Sequence, residues 1–141
     1  MIVGGATYQD KIRDWVSREL GFEKIGGDNF AAAGILVNNE LVGGAVFHDL
    51  TGHMMEISLA TTSPKWCTRK HIKELLSYPF VQCGYQRLNA RCAKKNKKMR
   101  RLMERFGFKE EGCARKAYVM PDGQIDDCVI YGMLKEECKW I

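Results

Sequence analysis

The stretch from His53 to Ala93 constrains the fold most, because it reads as strand, helix and strand in direct succession. In "HMMEISLAT", Met55, Ile57 and Leu59 share one face while Met54, Glu56, Ser58 and Ala60 share the other, the two-residue period of a strand. "TTSPKWCTRKHIKELLSYPF" then leads into an amphipathic helix with Ile72, Leu75, Leu76 and Phe80 on one stripe, which Pro79 should kink or end early. Ser63 before Pro64 and Thr68 four residues on are rival caps for it. "RLNARCA", Arg87 to Ala93, is the second strand. A unit of this kind forms a right-handed crossover between parallel strands. Ligands of such sheets bind beyond the carboxyl ends of the strands, where residues 61 to 70 lie.

The flanking segments attach to this unit as hairpins and helices. Ile12, Trp15, Val16 and Leu20 recur at helical spacing between residues 7 and 21, with Gly21 as a stop. "FAAAGILV" and "LVGGAVFHD" on either side of "NNE" read as a strand hairpin, with Gly43 and Gly44 as a bulge signal. Asn96 caps a third helix whose Met99, Leu102, Met103 and Phe106 fall at i, i+3, i+4 and i+7, and Gly107 ends it. Two last strands, about 111 to 120 and 125 to 134, meet at "PDGQ". The expected order is α, β-β-β, α, β, α, β-β. That is an α/β (α+β) chain with a mixed, mostly antiparallel sheet and flanking helices, and its 141 residues suit one domain.

Charge and cysteine usage limit the partners. With 22 Lys and Arg against 17 Asp and Glu, the formal charge is +5, enough to favour an anionic ligand and short of a dedicated nucleic-acid binder. Nine basic residues and a single acid, Glu104, fall between Arg87 and Arg105. Aromatic residues do not interleave with the lysines there, which counts against nucleic acid. The six cysteines make no C-x-x-C pair, so they read as reduced thiols of a cytoplasmic protein rather than zinc ligands or disulfides. The longest apolar stretch, Phe30 to Phe47, is broken by Asn38, Asn39 and Glu40 and is too short to cross a membrane. His48, His53 and His71 are scattered and suggest neither a metal site nor a nucleophile.

"NKKMRRLMERFGFKEEGCARKAY" followed by "DGQIDDCVIYGML" resembles the Gcn5-related N-acetyltransferases, the GNAT family. The likeness is to the branch holding ribosomal-protein N-terminal acetyltransferases and small phage and prophage relatives. The branch pattern falls on Asn96, Gly107 and Phe108, Glu111 and Gly112, Arg115, Asp122 and Gly123, Asp126, and Tyr131 with Gly132. Met99 stands where that branch has a serine. The match is specific from about residue 56 to 134, whereas residues 1 to 50 fit in element order only.

The resemblance implies a GNAT fold with two parallel strands that splay apart around acetyl-CoA, and no metal. It puts the pantetheine arm against Leu59, Ala60 and Thr61, and the pyrophosphate against the loop and helix start from Cys67 through Thr68, Arg69 and Lys70 to Ile72. Trp66 reads first as a packing residue that could also shield the arm, and Asn96 would contact it. The family's two loop glycines are replaced here by Lys70 and Ile72. Arg69 and Lys70 offer charge-assisted bonds in their stead. Glu56 matches a glutamate often used as base, with an inward carboxylate paired to Arg87 or Arg91 as its structural alternative. The tyrosine that often serves as acid falls on Met103, leaving Ser58, Tyr118 and Tyr131 as candidate donors. The implied partners are acetyl-CoA and an amine acceptor, a protein N-terminus or lysine before a small amine, with a homodimer left open. The alternative is a GNAT-fold module that binds CoA or protein without catalysis.

Overall fold

The computed structural model describes residues 1–141 as one seven-stranded sheet of order β1-β2-β3-β4-β5-β7-β6. The strands are β1 (Ile2–Gly4), β2 (Phe30–Val37), β3 (Glu40–His48), β4 (Met54–Thr61), β5 (Arg87–Ala93), β6 (Lys109–Val119) and β7 (Ile125–Leu134). The helices are α1 (Gln9–Leu20), α2 (Arg69–Ser77) and α3 (Lys97–Phe106). Only β4 and β5 pair in parallel, and every other neighbour is antiparallel. The expected elements are all present, and β1 is an addition. Three residues carry no readable period, and β1 exists only because Ile2 to Gly4 pair with Ala33 to Ile35.

Local chemistry explains the boundaries. Asn38 and Asn39 both take positive φ, the two-residue turn that matches strand twist, so β2 and β3 close tightly. Gly107 ends α3 in the left-handed region and donates to Glu104 and Met103 oxygens. Both rival caps before α2 are used. Ser63 caps a short 3₁₀ turn over Pro64–Trp66, and Thr68 Oγ1 accepts from His71 N–H at 3.2 Å to start α2. Beyond Ser77 the chain widens into a π turn, Tyr78–Gln82, because Pro79 cannot continue the α-helical ladder.

The sheet is covered on both faces. The larger core gathers Met55, Ile57 and Leu59 of β4 with Ile72, Leu75 and Leu76 of α2 and Met103 and Phe106 of α3. On the other face α1 lays Ile12 and Val16 over Ala32, Val46 and Ala60. The helix can lie this close because Gly44 has no side chain. A Cβ there would stand 2.7 Å from Val16 Cγ2 and 3.3 Å from Trp15 Cε3. The bulge expected at Gly43 and Gly44 sits beside them instead: Ile35 faces Gly43 and Leu36 faces Leu41, so Val42 is the extra residue.

Candidate active site

The parallel strands part early. β4 and β5 share three residue pairs, Met54 with Arg87, Met55 with Leu88 and Glu56 with Asn89, although both strands run on. Thr62 N–H bonds Val42 O, so the alternation of the antiparallel β3–β4 ladder turns the backbone groups of Ile57, Leu59 and Thr61 toward β5. Past Glu56 those groups face a gap rather than a strand. A cavity of about 520 Å³ runs through it, between Leu59, Ile72 and Leu75 on one strand and helix side and Ala90 and Cys92 on β5, with Met99 and Met103 of α3 in its wall.

The end of the cavity under the α1 face is polar. Glu56 and Ser58 reach it from β4, His48 and Asp49 from the end of β3, Arg91 from β5 and Tyr118 from β6. Arg91 Nε donates to Glu56 Oε2 at 3.0 Å. Burial acts to lower the Arg91 pKa, but the Glu56 carboxylate outweighs it and the net shift is upward. His48 Nε2 lies 2.8 Å from Ser58 Oγ and 3.9 Å from Glu56 Oε2, and its Nδ1 lies 3.4 Å from Asp49 Oδ2. Asp49 holds a left-handed backbone at φ 54°, which turns the chain as β3 ends. Burial pushes the Tyr118 phenol upward, keeping it protonated at neutral pH.

β6 reaches the cavity through a distortion. Between Ala114 and Tyr118 it carries extra residues against Cys128 to Asp126 of β7, with Lys116 at positive φ and its N–H on Asp127 Oδ1 at 2.9 Å. The displaced stretch sets Ala117, Tyr118 and Val119 against the cavity.

The residues singled out in the sequence divide. Glu56, Ser58, Leu59 and Asn96 line the cavity, and Asn96 Oδ1 also caps α3 by accepting from Met99 N–H at 3.2 Å. Ala60 turns its side chain to the opposite face beneath α1, and Thr61 is half-buried. Trp66 takes the packing role: it is a core residue, 3% exposed, with its ring edge-on to Phe106 at 5.7 Å and its Cβ 3.2 Å from where a Cβ on Gly43 would stand. Cys67 and Lys70 are exposed, Thr68 is the α2 cap, and Arg69 stacks over Trp140 at 5.6 Å. Tyr131 is corrected as a donor. It lies outside the cavity, and its hydroxyl accepts from Arg100 Nε at 3.2 Å.

His48 was missed. In the sequence it stands apart from the other histidines, and only the pairing of His48 with Glu56 across β3 and β4 brings it into this cluster. Its imidazole and the carboxylates of Asp49 and Glu56 lie within 4.8 Å of one another, a metal-ligand type of grouping, but Arg91 already supplies the positive charge beside Glu56.

Features of this chain fit a CoA. The gap offers a free strand edge at Leu59 and Thr61, and Ile72 in the first turn of α2 lines it. The N–H groups of Arg69 and Lys70 there have no acceptor within the chain, because Thr68 takes the N–H of His71. Both residues bring positive charge to that helix start, where an anion is favoured.

Comparison with known proteins gives the family to which a strand pair parted around such a cavity belongs. Residues 3–109 match the family described as Acetyltransferase (GNAT) domain. The chain therefore belongs to the GNAT family. It is 29% identical over 133 residues to YokL, the SPbeta prophage-derived uncharacterized N-acetyltransferase of Bacillus subtilis strain 168, covering 91% of this chain and 72% of YokL. It is 31% identical over 114 residues to YdaF of the same organism, provisionally named a ribosomal N-acetyltransferase, covering 77% of this chain and 62% of YdaF. Among solved structures, the spermidine N-acetyltransferase SpeG of Vibrio cholerae, as a variant, superposes over 100% of this chain and 97% of its own at TM-score 0.76. Its 15% identity makes that a likeness of fold. A crystal structure with a provisional acetyltransferase name is 31% identical at TM-score 0.68, and the match spans 77% of this chain and 63% of that one. No helix is long and apolar enough to cross a membrane.

Proposed function

We propose that this chain transfers an acetyl group from acetyl-CoA to a primary amine by direct attack within a ternary complex. The observation that carries the reading is the early parting of β4 and β5 around a cavity with one apolar and one polar end. When bound, acetyl-CoA supplies the activated carbonyl. Leu59 and Thr61 offer backbone groups along its arm, and Arg69 and Lys70 offer charge to its phosphates. The Glu56 carboxylate, bonded to Arg91, draws the acceptor's ammonium into the polar end. Similarity to YdaF, whose provisional name is ribosomal N-acetyltransferase, favours a protein N-terminus or lysine as acceptor before a small amine.

A second reading has its own observation. Lys70 and Ile72 hold the positions of the family's loop glycines, and Met99 and Met103 hold those of its usual proton donors, which is what a CoA-binding module without catalysis would look like. One experiment separates the two. Purified protein is incubated with acetyl-CoA and a panel of peptides and amines while thiol release is followed, with calorimetric titration of CoA alongside. Turnover on any amine supports the enzyme. CoA binding without turnover supports the module, and absence of CoA binding overturns both.

A further inference from the structure

We propose that His48 and Ser58 form a proton shuttle, taking the proton from the acceptor nitrogen and returning it to the departing thiolate. The proposal rests on the acetyl-transfer reading above. Its geometric basis is the 2.8 Å contact between His48 Nε2 and Ser58 Oγ, with both residues on the cavity wall. Asp49 Oδ2 stands 3.4 Å from Nδ1, which favours a proton on Nδ1 and leaves Nε2 free to accept. The imidazole is 6% exposed, and Gly26 holds it from above: a Cβ there would lie 2.9 Å from His48 Cβ.

No other group at the cavity serves both steps as well. Protonating Glu56 would break its bond to Arg91 and leave a half-buried guanidinium without a partner. Met99 and Met103 carry no proton, and Tyr131 lies outside. Tyr118 also lines the cavity but stands apart from the bonded pair of His48 and Ser58.

Once the acceptor's ammonium has given its first proton to solvent and stands as a neutral amine, the step balances without a further reactant. As the nitrogen lone pair forms the C–N bond, Ser58 Oγ accepts the proton the nitrogen sheds and hands its own to His48 Nε2. As the C–S bond breaks, its electron pair stays on sulfur, and the same two groups pass the proton back to it. Asp49, Ser58 and Glu56 face the imidazole directly, and the other titratable groups sharing the cavity with it are Arg91 of β5, Cys92 of β5, Tyr118 of β6, Cys128 of β7 and the Glu23–Lys24 segment after α1.

The test is the kinetics of His48→Gln, Ser58→Ala, Glu56→Gln and Tyr118→Phe on an amine the unsubstituted protein acetylates. His48→Gln is expected to lower kcat by ~10²-fold and abolish the acid limb of the kcat/KM pH profile, with CoA affinity within twofold. Ser58→Ala is expected to fall by at least tenfold, a larger loss than that of Tyr118→Phe. His48→Ala regaining activity on added imidazole would support the shuttle independently of packing, and it carries the test if His48→Gln fails to bind CoA. Retained turnover in His48→Gln, with ~10²-fold loss in Glu56→Gln or Tyr118→Phe, would overturn the shuttle alone. A protein that binds CoA but acetylates no amine would overturn the transfer reading and the shuttle with it.

Discussion

Arg91 and Glu56 form an ion pair, Nε to Oε2 at 3.0 Å, that spans β4 and β5 at the last residue before the two strands part. The pair closes the seam between the strands and sets the charge at the cavity's polar end. Arg91→Ala is expected to weaken acceptor use by raising KM about fivefold or more while leaving CoA affinity unchanged, because it frees Glu56 to move. Steady-state kinetics with calorimetry would show it, and an unchanged KM would remove the pair from acceptor binding.

Arg69 and Lys70 sit at the start of α2, where the helix dipole disfavours cations. Replacing either by alanine is therefore expected to leave stability unchanged or slightly raised, yet to weaken CoA binding about threefold to tenfold. The loss should shrink as salt rises toward 1 M, where charges are screened beyond about 3 Å. Equal affinity in wild type and the double variant at low salt would separate these residues from the phosphates.

Gly44→Ala inserts a methyl where Val16 Cγ2 would stand at 2.7 Å. α1 must shift off β3, at a cost of about 1–3 kcal/mol by the usual penalty of overpacking. A lower midpoint in urea with an unchanged slope is the expected result.

Asp126 Oδ2 accepts from Lys95 N–H and Oδ1 from Asp127 N–H, both at 2.8 Å, tying the turn before α3 to β7. Chiefly the Lys95 bond holds its carboxyl below the usual range. A lowered carboxylate contributes stability that is complete above its unfolded value, ~pH 4, and is lost as pH falls through the folded one. Melting temperature is therefore expected to drop below about pH 4 in the wild type and to drop less steeply in Asp126→Asn, which starts lower at neutral pH.

Burial pushes the Cys92 thiol up to about 11 and raises Cys128 as well, whereas Cys67 and Cys113 are exposed. Thiolates react, not thiols. Labelling with a disulfide reagent at pH 7.5 is expected to modify Cys67 and Cys113 first and Cys92 only on unfolding. Mass mapping of the labelled sites would decide it.

Patterns of strictly local origin were readable in the sequence. The crossover from His53 to Ala93, the caps at Thr68 and Asn96 and the stops at Gly21 and Gly107 are set by residues within one turn of each other, and the structure keeps them. What depended on pairing across the sheet was not. His48 enters the site only because β3 runs back along β4, and Trp66 leaves it because Gly43 opens a place in the core. The partner of Glu56 was open between Arg87 and Arg91 for the same reason. The register of β5 gives Arg87 to Glu111 and Asn89, and Arg91 to Glu56.

The short seam between β4 and β5 divides the sheet into two plates, β1 to β4 and β5 to β7, fastened by three rungs and an ion pair. On the proposed reading, a ligand lodged in the gap would add the missing rungs, and its binding energy would enter the folding equilibrium directly. At a hundredfold excess over its Kd that amounts to about 2.7 kcal/mol. Cofactor concentration in the surrounding solution would then act on this chain as a stabiliser, and slowed hydrogen exchange at Leu59 and Thr61 would register it.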